Sequence, residues 1–142
     1  MNNREQIDTV NQNYIYKDEI IELCSKDLKI NKYYFPFMTS KVIPIDKIKN
    51  IRLTELNTFN GKYRIFGLSF PFIYYHLDIK RPSKTHAIFL EEENNFITIA
   101  ITPDEPKKCF NSLRYLINNM KNKKQLKHKA YEEELIKNGK ID

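Results

Sequence analysis

The chain is expected to fold as a mainly β domain with a C-terminal α-helix, a small bent antiparallel sheet or partly open barrel capped by that helix. Three observations predict this. From Lys41 to Leu116 the sequence breaks into short apolar runs, read as five strands, punctuated by Pro and polar turn residues and followed by one helical stretch. Ile97, Ile99 and Ile101 alternate with Thr98 and Ala100, the period of a half-buried strand. Phe110, Leu113, Leu116, Ile117 and Met120 then recur at helical spacing and form one apolar stripe. Such a stripe must be buried, and an open sheet end is the available place.

The bulk properties suit one such domain. The chain has 142 residues, 41 % hydrophobic and 13 % aromatic, enough for one core. It has no Trp, so Tyr, Phe and Ile supply the bulk. Mean hydropathy is −0.61, which predicts a soluble protein. No apolar run approaches the roughly 18 residues needed to span a bilayer, and the polar start Met1-Asn-Asn-Arg-Glu-Gln lacks the apolar region of a signal peptide. A cytoplasmic location is the expectation. The two cysteines, Cys24 and Cys109, are too few for a disulfide framework and lack metal spacing, so they read as buried free thiols.

Residues 1–13 read as an N-terminal arm or loose helix, residues 14–120 as the domain, and 121–142 as a basic, helical tail. Within the domain, Tyr14 to Leu23 predicts a strand. The polar turn Ser25-Lys26-Asp27 joins it in a hairpin to Leu28–Tyr34, where Leu28 and Ile30 share a face. Phe35-Pro-Phe-Met38 is a bend or edge, because Pro interrupts it. Pairing should break at Pro44, with a short turn at Asp46–Ile48 before the strand from Ile51 to Leu56. Asn60-Gly61 is the strongest local turn signal. Phe72 to Lys80 alternates imperfectly, with apolar residues on both faces. Arg81-Pro-Ser-Lys84 is a turn, Ala87 to Leu90 a short strand, and Glu91-Glu-Glu-Asn-Asn95 a solvated hairpin tip.

The last helix has two possible starts. Thr102-Pro-Asp-Glu105 has the spacing of a capping box, and Pro106 offers a second register with Pro in the first turn. Beyond Met120 the chain turns basic. Leu126, Ala130, Tyr131 and Leu135 suggest a weaker helix with a C-cap at Asn138-Gly139; it either continues the first helix or hinges from it.

Three segments resemble the bacterial pleckstrin-homology-like (PH-like) domains. Lys41 to Ile51, with its Ile-Pro-Ile-Asp-Lys-Ile-Lys-Asn-Ile run, is similar to the family's basic-apolar-Pro-Leu-x-x-Ile-x-x-Val segment. Arg64-Ile-Phe-Gly, followed by Leu-Ser-Phe-Pro-Phe-Ile-Tyr-Tyr-His-Leu, resembles its Arg-x-x-Gly segment and aromatic strand. Ile99 to Phe110 resembles the Ile-x-Pro-x-x-Pro-x-x-Phe entry to the last helix. Together they span about residues 15–120. The resemblance implies a seven-stranded, strongly bent sheet with the helix plugging one open end. The chain departs from the family where many relatives carry a second Gly near the tyrosine pair: Phe72, Ile73 and His76 stand there. It also lacks the membrane helices to which bacterial relatives are often fused.

No catalytic constellation is assembled in the sequence. His76, His86 and His128 share no metal-ligand spacing, and no Ser or Cys has a nucleophile context. His76 reads as a cross-strand partner and His86 as exposed. Three Gly are too few for a phosphate cradle. No catalytic residue, metal or cofactor is expected. The candidate anion-binding group is Lys62, Arg64, Lys80, Arg81 and Lys84, two segments that meet if the loop after Asn60 folds over a strand end; the plainer reading of these residues is scattered solvated charge. Net charge is +6, and residues 121–142 carry seven lysines against four acids, half the excess. Tyrosines interleaved with basic residues read as core rather than a base-stacking surface, so nucleic acid is disfavoured. A membrane surface would be held weakly by the thin apolar face of the tail. The expectation is a non-catalytic binding or assembly module with a protein partner, or self-association, through a sheet edge or the C-terminal helix. The alternative is an anionic-surface binder, for lipid headgroups or nucleic acid, using the basic loop cluster and tail.

Overall fold

The computed structural model describes residues 13–34, 36–57, 62–64, 66–69 and 72–139. The predicted N-terminal arm, the Asn60-Gly61 turn and Phe35 therefore lie outside the described residues, apart from Asn13. The chain is mostly β, in two sheets not closed into a barrel, with one C-terminal helix. The described residues contain nine strands, two more than the family resemblance implies.

The first sheet is a four-stranded antiparallel meander of β1 (Tyr16–Lys17), β2 (Ile21–Leu23), β3 (Asp27–Tyr34) and β4 (Thr39–Pro44). The single strand expected from Tyr14 to Leu23 is split by Asp18. Its carboxylate accepts the backbone N–H groups of Ile20 and Ile21 at 2.8 and 2.7 Å, which turns the chain back on itself. The hairpin expected at Ser25-Lys26 is present, with Leu23 opposite Leu28. Leu28 and Ile30 are fully buried. Lys32 then adopts a positive φ of 52°, and the β3–β4 register shifts between Ile30 and Tyr34. This irregularity lets Tyr33 face the core, where strict alternation would point it outward.

Strand β4 ends at Pro44, as its missing N–H requires. A 3-10 turn, Ile45–Lys47, carries the chain into the second sheet, which holds β5 (Ile48–Glu55), β6 (Gly67–Ser69), β7 (Ile73–Tyr75), β8 (His86–Glu92) and β9 (Thr98–Ile101) in the order β5-β8-β9-β7-β6. Three expectations are corrected here. The strand from Phe72 to Lys80 ends at Tyr75, and the following residues leave the sheet. The antiparallel sheet contains one parallel pair, β7 with β9. The strand expected to be half-buried, β9, is buried on both faces because it is central: Ile99 and Ile101 enter one core, Ala100 the other. Glu92 also departs from the solvated tip, since it ends β8 and pairs with Lys41 at 3.2 Å.

The main core joins both sheets and the helix. Ile21, Leu23, Leu28, Ile30 and Ile43 meet Ile88, Leu90, Ile99 and Ile101, with Cys109, Leu113, Leu116 and Ile117 closing the cluster. The helix α1 (Pro106–Lys137) is continuous through the tail, which decides between continuation and hinge. Pro106 occupies its first turn, and Thr102 is not its cap. The residues just before the helix find partners in β1 and its turn instead: Tyr16 Oη accepts the Glu105 N–H at 3.0 Å and Asp18 accepts the Asp104 N–H at 2.9 Å. The far end is capped as expected, with Gly139 at φ 69° just past Asn138. No helix of the described residues is long and apolar enough to cross a membrane.

Candidate functional site

The densest polar chemistry sits where β7 and β9 end. Because these strands run parallel, with Tyr75 opposite Ala100, the residues that follow them emerge at the same end of the sheet. His76 and Asp78 thereby reach Thr102, 26 and 24 residues away. The 3-10 turn at Arg81–Ser83 folds Arg81 and Lys84 onto the same spot. His76, Asp78, Arg81 and Thr102 are all buried, and buried polar groups must be satisfied internally.

Most of their polar atoms are bonded to one another or to nearby backbone carbonyls. His76 Nε2 accepts the backbone N–H of Thr102 at 3.1 Å, while Nδ1 lies 3.1 Å from the carbonyl of Leu77. That pairing assigns the proton to Nδ1 and requires a neutral ring. The Thr102 hydroxyl donates to Asp78 Oδ2. Lys84 Nζ donates to the same carboxylate oxygen at 2.8 Å and to the Thr102 carbonyl. Arg81 donates from Nη2 to the His76 carbonyl at 2.6 Å and from Nη1 to the Arg64 carbonyl.

The electrostatics follow from burial and this pairing. Burial, reinforced by the Arg81 charge, lowers the His76 pKa to about 3. Burial alone would raise the Asp78 pKa, but the hydrogen bonds from Lys84 and Thr102 outweigh it and hold the carboxyl below its ordinary range. Burial brings Arg81 down to about 10, against the opposing pull of Asp78. Burial also raises the pKa of Tyr75, although the guanidinium groups of Arg64 and Arg81 lie 5.8 and 5.3 Å from its ring centroid.

The predicted anion group is thus divided. The two segments do meet, through the Arg81 bond to the Arg64 carbonyl. Arg81, however, is fully buried, and the Lys84 side chain is only 10 % exposed, held between Asp78 and Asp104. Lys80 is exposed and lies 3.4 Å from Glu19. Arg64 is exposed beside Tyr75, and Lys62 is half-buried. A cleft of about 320 Å³ opens beside the cluster, with Ile20, Leu77 and Ile79 along it and Lys80, Lys84 and Asp104 on its rim. Its rim carries both signs of charge.

Sequence reasoning missed Asp78 and Thr102 as partners of His76. The signal that would have found them, the parallel register of β7 with β9, is not a local pattern. His76 itself joins segments as expected, but beyond the strand rather than within it. Both cysteines are free; Cys109 is buried as read, while Cys24 is half-buried. Burial pushes the Cys109 thiol up. His86 opens β8 half-buried rather than exposed. Among the described residues, no group of three or more His, Cys, Asp or Glu is placed to hold a metal ion.

No protein-family model, curated protein or solved structure matches the chain.

Proposed function

We propose that this chain is a non-catalytic, cytoplasmic PH-like module that assembles with another protein chain through its C-terminal helix. One observation carries this reading. Among the described residues, the helix makes its last bond to the body at Lys124, whose Nζ donates to the Asp46 carbonyl at 2.9 Å, yet it continues to Lys137. From Gln125 to Lys137 every residue is exposed except Leu135, which is half-buried. Leu126, Tyr131 and Ile136 are 67 %, 59 % and 61 % exposed. A helical extension with uncovered apolar side chains gains nothing for the core and suits a partner. The buried polar cluster supports the non-catalytic part of the reading, because its groups are spent on joining strand ends. Free thiols in both cysteines fit a reducing compartment.

The test is a photo-crosslinking amino acid at Tyr131 in the full chain, irradiated in its native cells. A covalent adduct with a protein, identified by peptide mass spectrometry, is the expected result. Absence of any adduct from Tyr131 and from the same probe at Leu126 would overturn the reading.

A further inference from the structure

We infer that the projecting end of α1 pairs antiparallel with the same segment of a second copy of this chain. The inference rests on the assembly reading above and names its partner. Its basis is the order of charges along the exposed helix. Lys127-His128-Lys129 precedes Ala130-Tyr131, and Glu132-Glu133-Glu134 follows. The pattern is antisymmetric about the Ala130–Tyr131 bond. A second copy running the other way sets each basic block against the other copy's acidic block. A parallel copy would set like against like.

The geometry of the projection agrees. The free segment runs from Gln125 to Lys137, and its midpoint is Tyr131. The charge pattern and the projecting length therefore share one centre. Two such segments, each about 20 Å long at 1.5 Å per residue, overlap over their full length while the two bodies stay at opposite ends. A two-fold axis near Ala130 gives the self-complementary contact of a symmetric dimer. Tyr131 lies at that axis, 59 % exposed, as an aromatic anchor inside a ring of charge pairs.

Intrahelical pairing explains the charge order less well. His128 and Glu132 do approach to 3.1 Å within one helix. Yet a base preceding an acid by four residues is the weaker orientation. Glu134 also lies in the last turn, with Glu132 and Glu133 just before it, where the helix dipole disfavours negative charge. An isolated helix would be better served by the reverse order. An antiparallel neighbour supplies what is missing: cations beside the acids near the C-terminal end, and a helix dipole pointing the other way. A contact of this length is small for a stable dimer, so the association is weak and strongly salt-dependent.

Sedimentation equilibrium of the purified full chain tests this. At about 0.1 M salt, where charges are felt over roughly 10 Å, a concentration-dependent dimer is expected; at about 1 M salt, where the range is roughly 3 Å, it dissociates. E132K/E133K/E134K, which makes the segment wholly basic, should weaken dimerisation on the order of tenfold or more. The exchange K127E/K129E/E132K/E134K inverts both blocks, keeps the antiparallel match and should restore the dimer. Circular dichroism of each variant establishes that the helix persists. A wild-type chain that stays monomeric at low salt overturns the inference. So does a dimer indifferent to E132K/E133K/E134K, or an exchange variant that stays monomeric with its helix intact. A crosslink from Tyr131 to a different protein, beside a monomeric purified chain, leaves the assembly reading standing and removes only self-pairing.

Discussion

The imidazole Nε2 of His76 accepts the backbone N–H of Thr102 across 26 residues of sequence, at 3.1 Å, with both residues fully buried. The contact holds the exit of β7 to the exit of β9, and it exists only while the ring is neutral. Protonation would remove the acceptor and place a cation near Arg81 and Lys84.

This makes stability pH-dependent in a stated direction. The folded ring has a pKa lowered from 6.5 to about 3, so the unfolded chain binds the extra proton between those values. Stability is therefore full above about pH 6.5 and falls as the pH drops toward 3, by up to about 1.4 kcal/mol per unit. Asp78, also lowered, adds to the loss only below the ordinary carboxylate pKa of about 4. Urea denaturation between pH 7.5 and 4.5 should show this slope in the wild type. His76→Gln keeps an amide oxygen to accept the Thr102 N–H and removes the titrating group, so its curve should be flatter. Parallel curves for the two proteins would refute the assignment.

The Lys84–Asp78 pair should behave as a buried ion pair. Its side chains are 10 % and 2 % exposed and meet at 2.8 Å. Lys84→Met removes the cation bonded to the buried Asp78 carboxylate, whose Oδ2 keeps the Thr102 hydroxyl, and should cost about 3–5 kcal/mol. Lys80→Met removes an exposed cation from the neighbouring turn and should cost no more than about 1 kcal/mol. Equal effects in chemical denaturation would show that the cluster contributes no more than surface charge.

The two halves of α1 should differ in the same assay. Leu113 is fully buried in the main core, and Leu113→Ala should cost about 2–5 kcal/mol. Leu126 is 67 % exposed, and Leu126→Ala should lie within about 0.5 kcal/mol of wild type when measured at concentrations too low for association. A small effect at Leu113 would mean that the helix is not docked.

Binding to anionic vesicles or polyphosphate separates the basic loop from the tail. Arg81 is buried, so reversing it would unfold the site and decides nothing about recognition. Lys62→Glu and Arg64→Glu leave the internal cluster intact and test the loop surface. Deletion of 121–142 removes half the net charge. We expect weak binding that falls steeply with salt and is lost on deletion, because the tail presents Lys123, Lys127, Lys129 and Lys137 exposed on the helix. Binding that survives deletion but disappears with Arg64→Glu would favour an anionic-surface binder.

Much of the fold was legible in the chain itself. The apolar alternation of β9, the break at Pro44, the hairpin at Ser25-Lys26, the docked stripe through Leu113 and Ile117, and the cap at Gly139 are local. Each depends on residues within a few positions of one another, where periodicity and backbone restriction act directly. Asp18 and Thr102 mark the limit. Both carried plausible local roles, one inside a strand and one as a cap, and both were claimed by distant partners. The tertiary structure decided these roles because a buried polar group goes wherever its bonds can be completed, and only the parallel register of β7 with β9 brings His76, Asp78 and Thr102 together. The same logic buried Arg81 and Lys84 out of the predicted surface cluster. The charge order of the projecting helix is the reverse case: it was written in the sequence from the start, but it acquired meaning only once the structure showed those charged side chains exposed.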